Sequence, residues 1–233
     1  MSLRTFLFGL SASFGFAWLG VIVIPYLKMR NLQPIEWSEA ADGETGVFYP
    51  KRTGRITDGA LVYAANGCYL CHTQVIRPTY AGNDLYRPDW GGLVADPERG
   101  DTRRETNAYD FEGERFAQIG VSRMGPDLSN LGRRVESIYA AGGDATQWLL
   151  AQRYDPRFLP EREKSLCPPS RYLFTERVIR GAPSDRAVAI TGKTEVVPNS
   201  DALALVSYLL SLKKDQPVPA VLNFAPPKPQ AAP

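Results

Sequence analysis

The longest apolar run of the chain lies near its N-terminus. Residues Phe6 to Tyr26 read FLFGLSASFGFAWLGVIVIPY and include no charged side chain. A helix rises about 1.5 Å per residue, so this run is long enough to cross the roughly 30 Å hydrocarbon core of a bilayer. It exceeds the roughly 7 to 15 apolar residues of a secretory signal peptide, and the following Leu27-Lys28-Met29-Arg30 lacks a small-x-small cleavage site. We therefore predict an uncleaved transmembrane anchor over residues 1–30, in preference to a signal peptide.

The hydrophobic pattern changes twice after the anchor. Residues 31–56 mix polar side chains with glycine and proline and show no sustained period, which is typical of a stalk. Helical spacing begins after Thr57, and Thr57 or Asp58 is the predicted N-cap. The apolar positions that carry this spacing are Ala60, Leu61, Ala64 and Ala65. We expect this helix to continue into the cysteine motif that follows.

A long insert, Thr73 to Ser122, interrupts the helical pattern. It is rich in Gly, Arg and Tyr and lacks the alternation of a strand. Loops of this length are uncommon in compact domains unless they are functional. We therefore expect the insert to pack over a cofactor or against a partner.

Two further helices are predicted downstream of the insert. Asp144 is placed to cap a helix over Ala145 to Arg153, which Asp155-Pro156-Arg157 ends. Asn199 or Ser200 is placed to cap a last helix with an apolar stripe made by Leu205, Tyr208, Leu209 and Leu212. Residues Pro217 to Pro233 are too rich in proline for a helix, so we predict an extended tail, lying on a partner surface.

Charge and composition narrow the possible partners only slightly. The formal net charge is +2, which is too balanced to indicate nucleic-acid binding. The chain has three cysteines, one histidine and three methionines, the initiator included. Possible metal ligands are therefore few.

The motif Cys68-Tyr69-Leu70-Cys71-His72 predicts one covalently bound haem c. In a Cys-x-x-Cys-His run the two thiols bond to the haem vinyl groups and the adjacent imidazole coordinates the iron. A zinc site is the alternative, but it needs a second ligand pair, and His72 is the only histidine. A redox-active dithiol would normally follow a strand in a βαβ pattern, which the sequence lacks.

The predicted haem also predicts the orientation in the membrane. Arg4 stands before the apolar run and Lys28 and Arg30 stand after it, so flanking charge gives no firm orientation. Haem c is attached outside the cytoplasmic membrane in bacteria. We therefore predict a single-pass protein of the bacterial inner membrane, with its N-terminus in the cytoplasm and its haem domain in the periplasm.

The order of these pieces over residues 57–214 resembles the class I cytochrome c fold. More narrowly, the stretch GCYLCHTQVIRP that begins at Gly67 is similar to the mono-haem subunit II of cbb3-type (C-family haem-copper) cytochrome c oxidases. The segments RMGPDL, from Arg123, and PPSRYLF, from Pro168, also resemble patterns of that family. The resemblance implies a mainly α fold, with one N-terminal transmembrane helix and a class I cytochrome c domain with a long loop insert. The implied domains are the anchor (1–30), the stalk (31–56), the cytochrome domain (57–214) and a proline-rich tail (215–233).

The resemblance further implies an electron-relay subunit of a terminal oxidase. The haem would accept electrons from a periplasmic donor and pass them to an integral-membrane catalytic subunit, in a complex with other haem c subunits. The chain itself is expected to be non-catalytic, because a haem-copper centre needs several histidines. A free-standing membrane-tethered carrier, or the haem c subunit of another respiratory complex such as nitric oxide reductase, remains the alternative.

The same resemblance assigns roles to residues around the haem. The carbonyl of Pro126 would accept a hydrogen bond from Nδ1 of His72 and fix the ring. Arginines that would bind the haem propionates are Arg77, Arg123 and Arg133. Trp148 would donate its indole N–H to a propionate, with a place in the core as the alternative.

The second axial ligand departs from the family pattern. The family has a methionine just before the loop proline, where this chain reads Ser165-Leu166-Cys167-Pro168. Met124 is the other sulfur of the domain that is not committed to the cysteine motif, but it adjoins the loop expected to cover the His72 side. We therefore predict Cys167 as the second axial ligand, with an open iron or a buried inert thiol as the alternatives. A thiolate ligand favours ferric iron, so this haem would be a weak electron acceptor unless Cys167 is protonated or leaves on reduction.

Overall fold

An apolar helix runs from Leu3 to Met29. In this computed structural model it consists of α1 (Leu3–Trp18), a π-helical turn (Leu19–Val23) and α2 (Ile24–Met29). The Ser2 side chain caps its first turn by accepting a hydrogen bond from Thr5 N at 3.3 Å. The structure describes residues 2–30, 53–111, 113–139 and 143–218, and the chain divides into two units, Met1–Ser38 and Glu39–Pro233.

The described part of the second unit includes four α-helices. They are α3 (Gly54–Ala65), α4 (Leu131–Tyr139), α5 (Ala145–Tyr154) and α6 (Ser200–Ser211). At the starts of α5 and α6, Asp144 accepts from Thr146 N and Gln147 N, and Asn199 accepts from Ala202 N at 2.9 Å. Both caps were predicted and are confirmed, as are the mainly helical fold and the apolar N-terminal helix.

Helices α3 and α6 pack closely against each other. Gly59 permits the contact, because a Cβ atom there would lie 2.0 Å from the carbonyl oxygen of Ala204. Next to this contact the rings of Tyr63 and Tyr208 pack with centroids 5.4 Å apart. The predicted stripe of α6, with Leu212 just beyond it, is buried in this core, together with Leu149 and Leu150 of α5.

A small antiparallel sheet precedes α6 and was not predicted. Its strands are β1 (Phe174–Val178), β2 (Ala189–Thr191) and β3 (Thr194–Pro198), in the order β1-β3-β2. Thr191 pairs with Thr194, so a two-residue turn, Gly192 and Lys193, joins β2 to β3. Gly192 has φ of 60°, a left-handed conformation that glycine adopts without strain.

The insert packs as an irregular segment stabilised by ion pairs. Its regular structure is limited, among the described residues, to the 3₁₀ turns Asp84–Tyr86 and Ala108–Phe111 and an isolated bridge between Asp96 and Gly100. Buried Asp215, from the segment after α6, binds Arg99 and Arg133, each at 3.1 Å. Packing therefore continues past the predicted domain end at 214 to Val218, which is buried.

Two predicted helix boundaries are wrong. Neither Thr57 nor Asp58 caps α3; Thr53 does, by accepting from Ile56 N at 3.4 Å, and both predicted caps lie inside the helix. The helix also ends at Ala65, before the cysteine motif, because Gly67 takes φ of 65° and reverses the chain. Residues 31–52 of the predicted stalk (31–56) and residues 219–233 of the predicted tail (215–233) lie outside the described residues, whereas residues 54–56 belong to α3 and not to a stalk.

Candidate metal centre

The cysteine motif forms a tight turn directly after α3. Cys68–Leu70 is a 3₁₀ turn, and the amide of His72 donates to the carbonyl of Cys68 at 3.1 Å. Cys68 packs against the hydrophobic core, and the thiols of Cys68 and Cys71 are both half-buried and free of disulfides. The turn thus holds two thiols and an imidazole on five consecutive residues.

The imidazole of His72 is held by the loop that follows the insert. Its Nδ1 lies 2.8 Å from the carbonyl oxygen of Pro126, which is the contact that the sequence predicted. Gly125 packs directly on the ring, since a Cβ there would lie 2.1 Å from His72 Cε1. With Nδ1 donating to Pro126, Nε2 is the ring nitrogen available to a metal.

Buried Asp127 ties this loop to the chain beyond His72. Its Oδ2 accepts from Thr73 Oγ1 at 2.6 Å and from Val75 N at 2.9 Å. The amide of Gly125 donates to the carbonyl of Cys71 at 2.9 Å. The position of the Pro126 carbonyl is therefore set from both sides of His72.

Cys167 reaches this imidazole from the segment between α5 and β1. Its thiol accepts a hydrogen bond from Arg153 Nη2 at 3.1 Å and lies close enough to the His72 side chain for the two groups to interact. Burial by itself would raise the pKa of the Cys167 thiol. The interaction with His72 and the guanidinium of Arg153 outweigh burial and lower this pKa to about 7. A substantial fraction of Cys167 is therefore thiolate at neutral pH.

The three thiols share one electrostatic neighbourhood. Burial raises the pKa of the Cys68 thiol, and the neighbouring thiols of Cys167 and Cys71 raise it as well. The guanidinium of Arg153 lowers it. One guanidinium thus influences sulfur atoms from the motif and from the distant loop. The arrangement brings together Cys68, Cys71, His72, Pro126 and Cys167.

The other predicted site residues contact carboxylates of the chain. Arg77 binds Asp84 through Nε at 3.0 Å and Nη2 at 2.8 Å, and Arg123 Nη1 binds the same carboxylate at 2.7 Å. Arg133 binds Asp215, away from the cysteine motif in sequence. Trp148 donates its indole N–H to Glu161 at 2.9 Å while it packs against the core. Binding of propionates by these four side chains stays a prediction.

Sequence reasoning missed two residues of this site. Gly125 stood in a recognised segment, but its contact with His72 depends on how the loop folds back. Arg153 had no signal beyond its place in the last turn of α5, because its sulfur partner is 14 residues further on. Capping and spacing rules describe local contacts only.

The sequence matches no family model, and no curated protein matches it. Within the described residues, no group of three or more His, Cys, Asp or Glu side chains is arranged to hold a metal ion. A haem iron takes its in-plane ligands from the porphyrin, so a protein supplies only axial ligands. One imidazole and one sulfur are a sufficient set for that purpose.

The surroundings of the site fit a large, flat and mostly apolar group. Exposed apolar side chains lie in the three segments that carry the cysteine motif, the Pro126 loop and Cys167, and an exposed apolar surface is typical of a binding site. They are Leu70 (53% exposed), Val121 (72%), Met124 (74%) and Leu166 (85%). The backbone joins two of these segments, since Val121 N donates to Tyr69 O at 2.8 Å. The donor set and the apolar surface together fit haem.

Proposed function

We propose that the chain is a membrane-anchored c-type cytochrome that relays electrons from a periplasmic donor to the catalytic subunit of a haem-copper terminal oxidase. The observation that carries the proposal is the arrangement at His72. Its Nδ1 is fixed by the Pro126 carbonyl, two thiols lie on the same turn, and Cys167 faces the ring. The class I cytochrome c pattern requires an arrangement of this kind, whereas a turn with only a structural role would not need it.

Each residue of the site has one role in the proposal. Cys68 and Cys71 would hold the haem through thioether bonds, and His72 Nε2 and the Cys167 sulfur would hold its iron. Pro126 holds the tautomer of the imidazole that leaves Nε2 free. When bound, haem supplies one-electron chemistry between ferric and ferrous iron.

The chain supplies the relay and not the reduction of dioxygen. A haem-copper centre needs several imidazoles, and His72 is the only histidine. The reaction with dioxygen is therefore assigned to a partner subunit in the membrane. The apolar helix Leu3–Met29 fits either a membrane anchor or a signal sequence, and we propose an anchor that places the second unit in the periplasm.

Purification of the full chain in a mild detergent tests the assignment. We expect it to co-migrate with a large polytopic subunit that carries b-type haem, and to transfer electrons to that subunit when a periplasmic donor reduces it. The matched control is the Cys68→Ser/Cys71→Ser chain, which should assemble without electron transfer. A monodisperse haemoprotein that contains only this 25.8 kDa chain and its haem would contradict the oxidase assignment and favour a free-standing carrier. Genes for another respiratory complex beside this one would favour that complex instead.

A further inference from the structure

Arg153 holds the loop of Cys167 in two ways. Its Nη2 donates to Cys167 Sγ at 3.1 Å, and its carbonyl oxygen accepts from Ser170 N at 2.8 Å. The side chain of Arg153 therefore contacts the loop at Cys167, and its main chain contacts the loop at Ser170. Because Arg153 lies in the last turn of α5, the loop is fixed to a helix that packs in the core.

The loop has a second anchor that does not involve the Arg153 side chain. Arg171 Nη2 binds Asp155 at 2.6 Å, and Asp155 also accepts from Arg157 N at 3.1 Å. Together with the Ser170 bond to the main chain, these contacts already fix both ends of the loop. The Arg153 guanidinium is therefore not required to hold the backbone in place.

The guanidinium is kept in position at a cost. Its Nε is buried and has no hydrogen-bond partner among the described residues, which destabilises the fold. The sulfur of Cys167 is the side-chain acceptor that it binds. We therefore attribute the buried position of the Arg153 guanidinium to its effect on the Cys167 sulfur.

We propose that Arg153 is a positioning residue that orients the Cys167 sulfur as an iron ligand and raises the reduction potential of the haem. The proposal rests on the proposed function. A thiolate donates electron density to iron and favours the ferric state, and a hydrogen bond to the sulfur weakens that donation. Arg153 thus offsets the property that would make a thiolate-ligated haem a weak electron acceptor.

The test uses the full-length, haem-loaded chain in detergent. Arg153→Gln removes the charge and keeps a side chain that can donate, Arg153→Lys keeps the charge, and Arg157→Gln is the matched control at the same end of α5. The midpoint potential is measured by spectroelectrochemical titration and the ferric ligand field by electron paramagnetic resonance. We expect Arg153→Gln to shift the equilibrium about tenfold toward ferric iron, which is about 59 mV for a one-electron couple. Arg153→Lys should shift it less, and Arg157→Gln should leave it unchanged.

An unchanged potential and resonance spectrum in Arg153→Gln would overturn the proposal, as would an equal shift in Arg157→Gln. If Arg153→Gln yields no haem-loaded protein, Arg153→Lys decides: a smaller shift toward ferric iron supports the role, and no shift contradicts it. Haem stain of the wild-type chain after denaturing electrophoresis distinguishes failure of the proposed function from failure of the role of Arg153. Without stain the proposed function fails and this inference fails with it, whereas stain with an unchanged potential removes only the role of Arg153.

Discussion

At the scale of single residues, the sulfur of Cys167 determines how the proposed centre behaves. A thioether and a thiolate differ in the charge they present to iron, and methionine ligation raises the reduction potential. Cys167 is half-buried and hydrogen-bonded by Arg153, so it differs from an inert cysteine enclosed in apolar surroundings. Met124 is 74% exposed on the surface of the loop before Pro126. We therefore propose Cys167 rather than Met124 as the second ligand.

Replacement of Cys167 tests this ligand directly. Cys167→Met should raise the midpoint potential and give the resonance spectrum of a His/Met haem, because the negative charge on the ligand is lost. Cys167→Ala should change the spectrum as well. Met124→Leu is the control and should leave both spectrum and potential as in the wild type. An unchanged spectrum in Cys167→Ala would remove Cys167 from the coordination sphere.

The stability of the folded chain depends on pH through Asp84. Its carboxylate is fully buried and binds Arg77 and Arg123. Burial raises the pKa of Asp84, but the hydrogen bonds from Arg77 and Arg123 outweigh that effect and hold it well below its usual range. Because the pKa of Asp84 is lower in the folded chain than in the unfolded one, the ionised carboxylate stabilises the fold. This stabilisation is fully present above the unfolded pKa of about 3.9 and is lost as the pH falls from there toward the folded pKa.

Asp84→Asn should therefore destabilise the chain by about 3 kcal/mol at pH 7, because two arginines lose the charge that they bind. The difference from wild type should shrink as the pH falls below about 4, because the Asp84 carboxylate of the unfolded wild-type chain then takes up a proton while the folded one stays ionised. Urea unfolding followed by tryptophan fluorescence measures both effects. Glu136→Gln is the control, since Glu136 is 47% exposed in its pair with Lys213 and should contribute less than about 1 kcal/mol. A difference that stays constant with pH would contradict this explanation.

At the scale of elements, the contact between α3 and α6 positions the cysteine motif. The motif begins three residues after α3 ends, so the placement of α3 on α6 sets where the thiols lie. Gly59 allows the backbones to approach at this contact, and the Tyr63 and Tyr208 rings fill the space beside it. Changes at the contact should therefore affect both stability and haem loading.

Gly59→Ala should destabilise the chain by about 2–3 kcal/mol and lower the yield of haem-loaded protein, because the new methyl group would overlap the Ala204 carbonyl. Gly54→Ala is the matched control on the same helix, where a Cβ meets nothing within 4 Å. We expect it to be neutral or up to about 1 kcal/mol stabilising. Urea unfolding and the haem absorbance per chain measure the two effects. Equal behaviour of the two variants would contradict the role of the contact.

The sequence predicts those elements whose determinants are local. The caps at Asp144 and Asn199 were identified because a capping side chain binds amides two or three residues away. The start of α3 was misplaced because Thr53, Thr57 and Asp58 are all capping residue types, and the local pattern does not distinguish them. The hairpin of β2 and β3 does have a local signal, Gly192-Lys193 between β-branched residues. The contact of Arg153 with Cys167 had none, since it depends on the tertiary path of the loop.

At the scale of the whole molecule, an apolar environment explains the exposed apolar side chains of the first unit. The most apolar window of the helix Leu3–Met29 has none of its residues buried within the structure. Exposure of so many apolar side chains to water is unfavourable, by about 25 cal/mol per Å². A bilayer removes this cost for a helix of this length.

The anchor assignment predicts that the mature chain keeps this helix. Intact-mass measurement of the membrane-bound protein should give a chain that includes residues 3–29, and protease added to spheroplasts should digest the second unit only. Phe14→Lys should reduce membrane insertion by about 3 kcal/mol, because a charge enters the bilayer centre, whereas Ser2→Lys at the helix start should not. A mature chain that begins after Tyr26 would identify the helix as a signal sequence.

The covalent attachment of haem to Cys68 and Cys71 is the central claim, and intact mass combined with haem stain after denaturing electrophoresis tests it most directly. The wild-type chain should keep the stain and carry the added mass of one haem, because thioether bonds survive denaturation. Cys68→Ser/Cys71→Ser should lose both, whereas Cys167→Ser should keep both, since an axial ligand is not covalently joined to the porphyrin. A wild-type chain with the mass of the bare polypeptide, or a double variant that keeps its stain, would contradict the account.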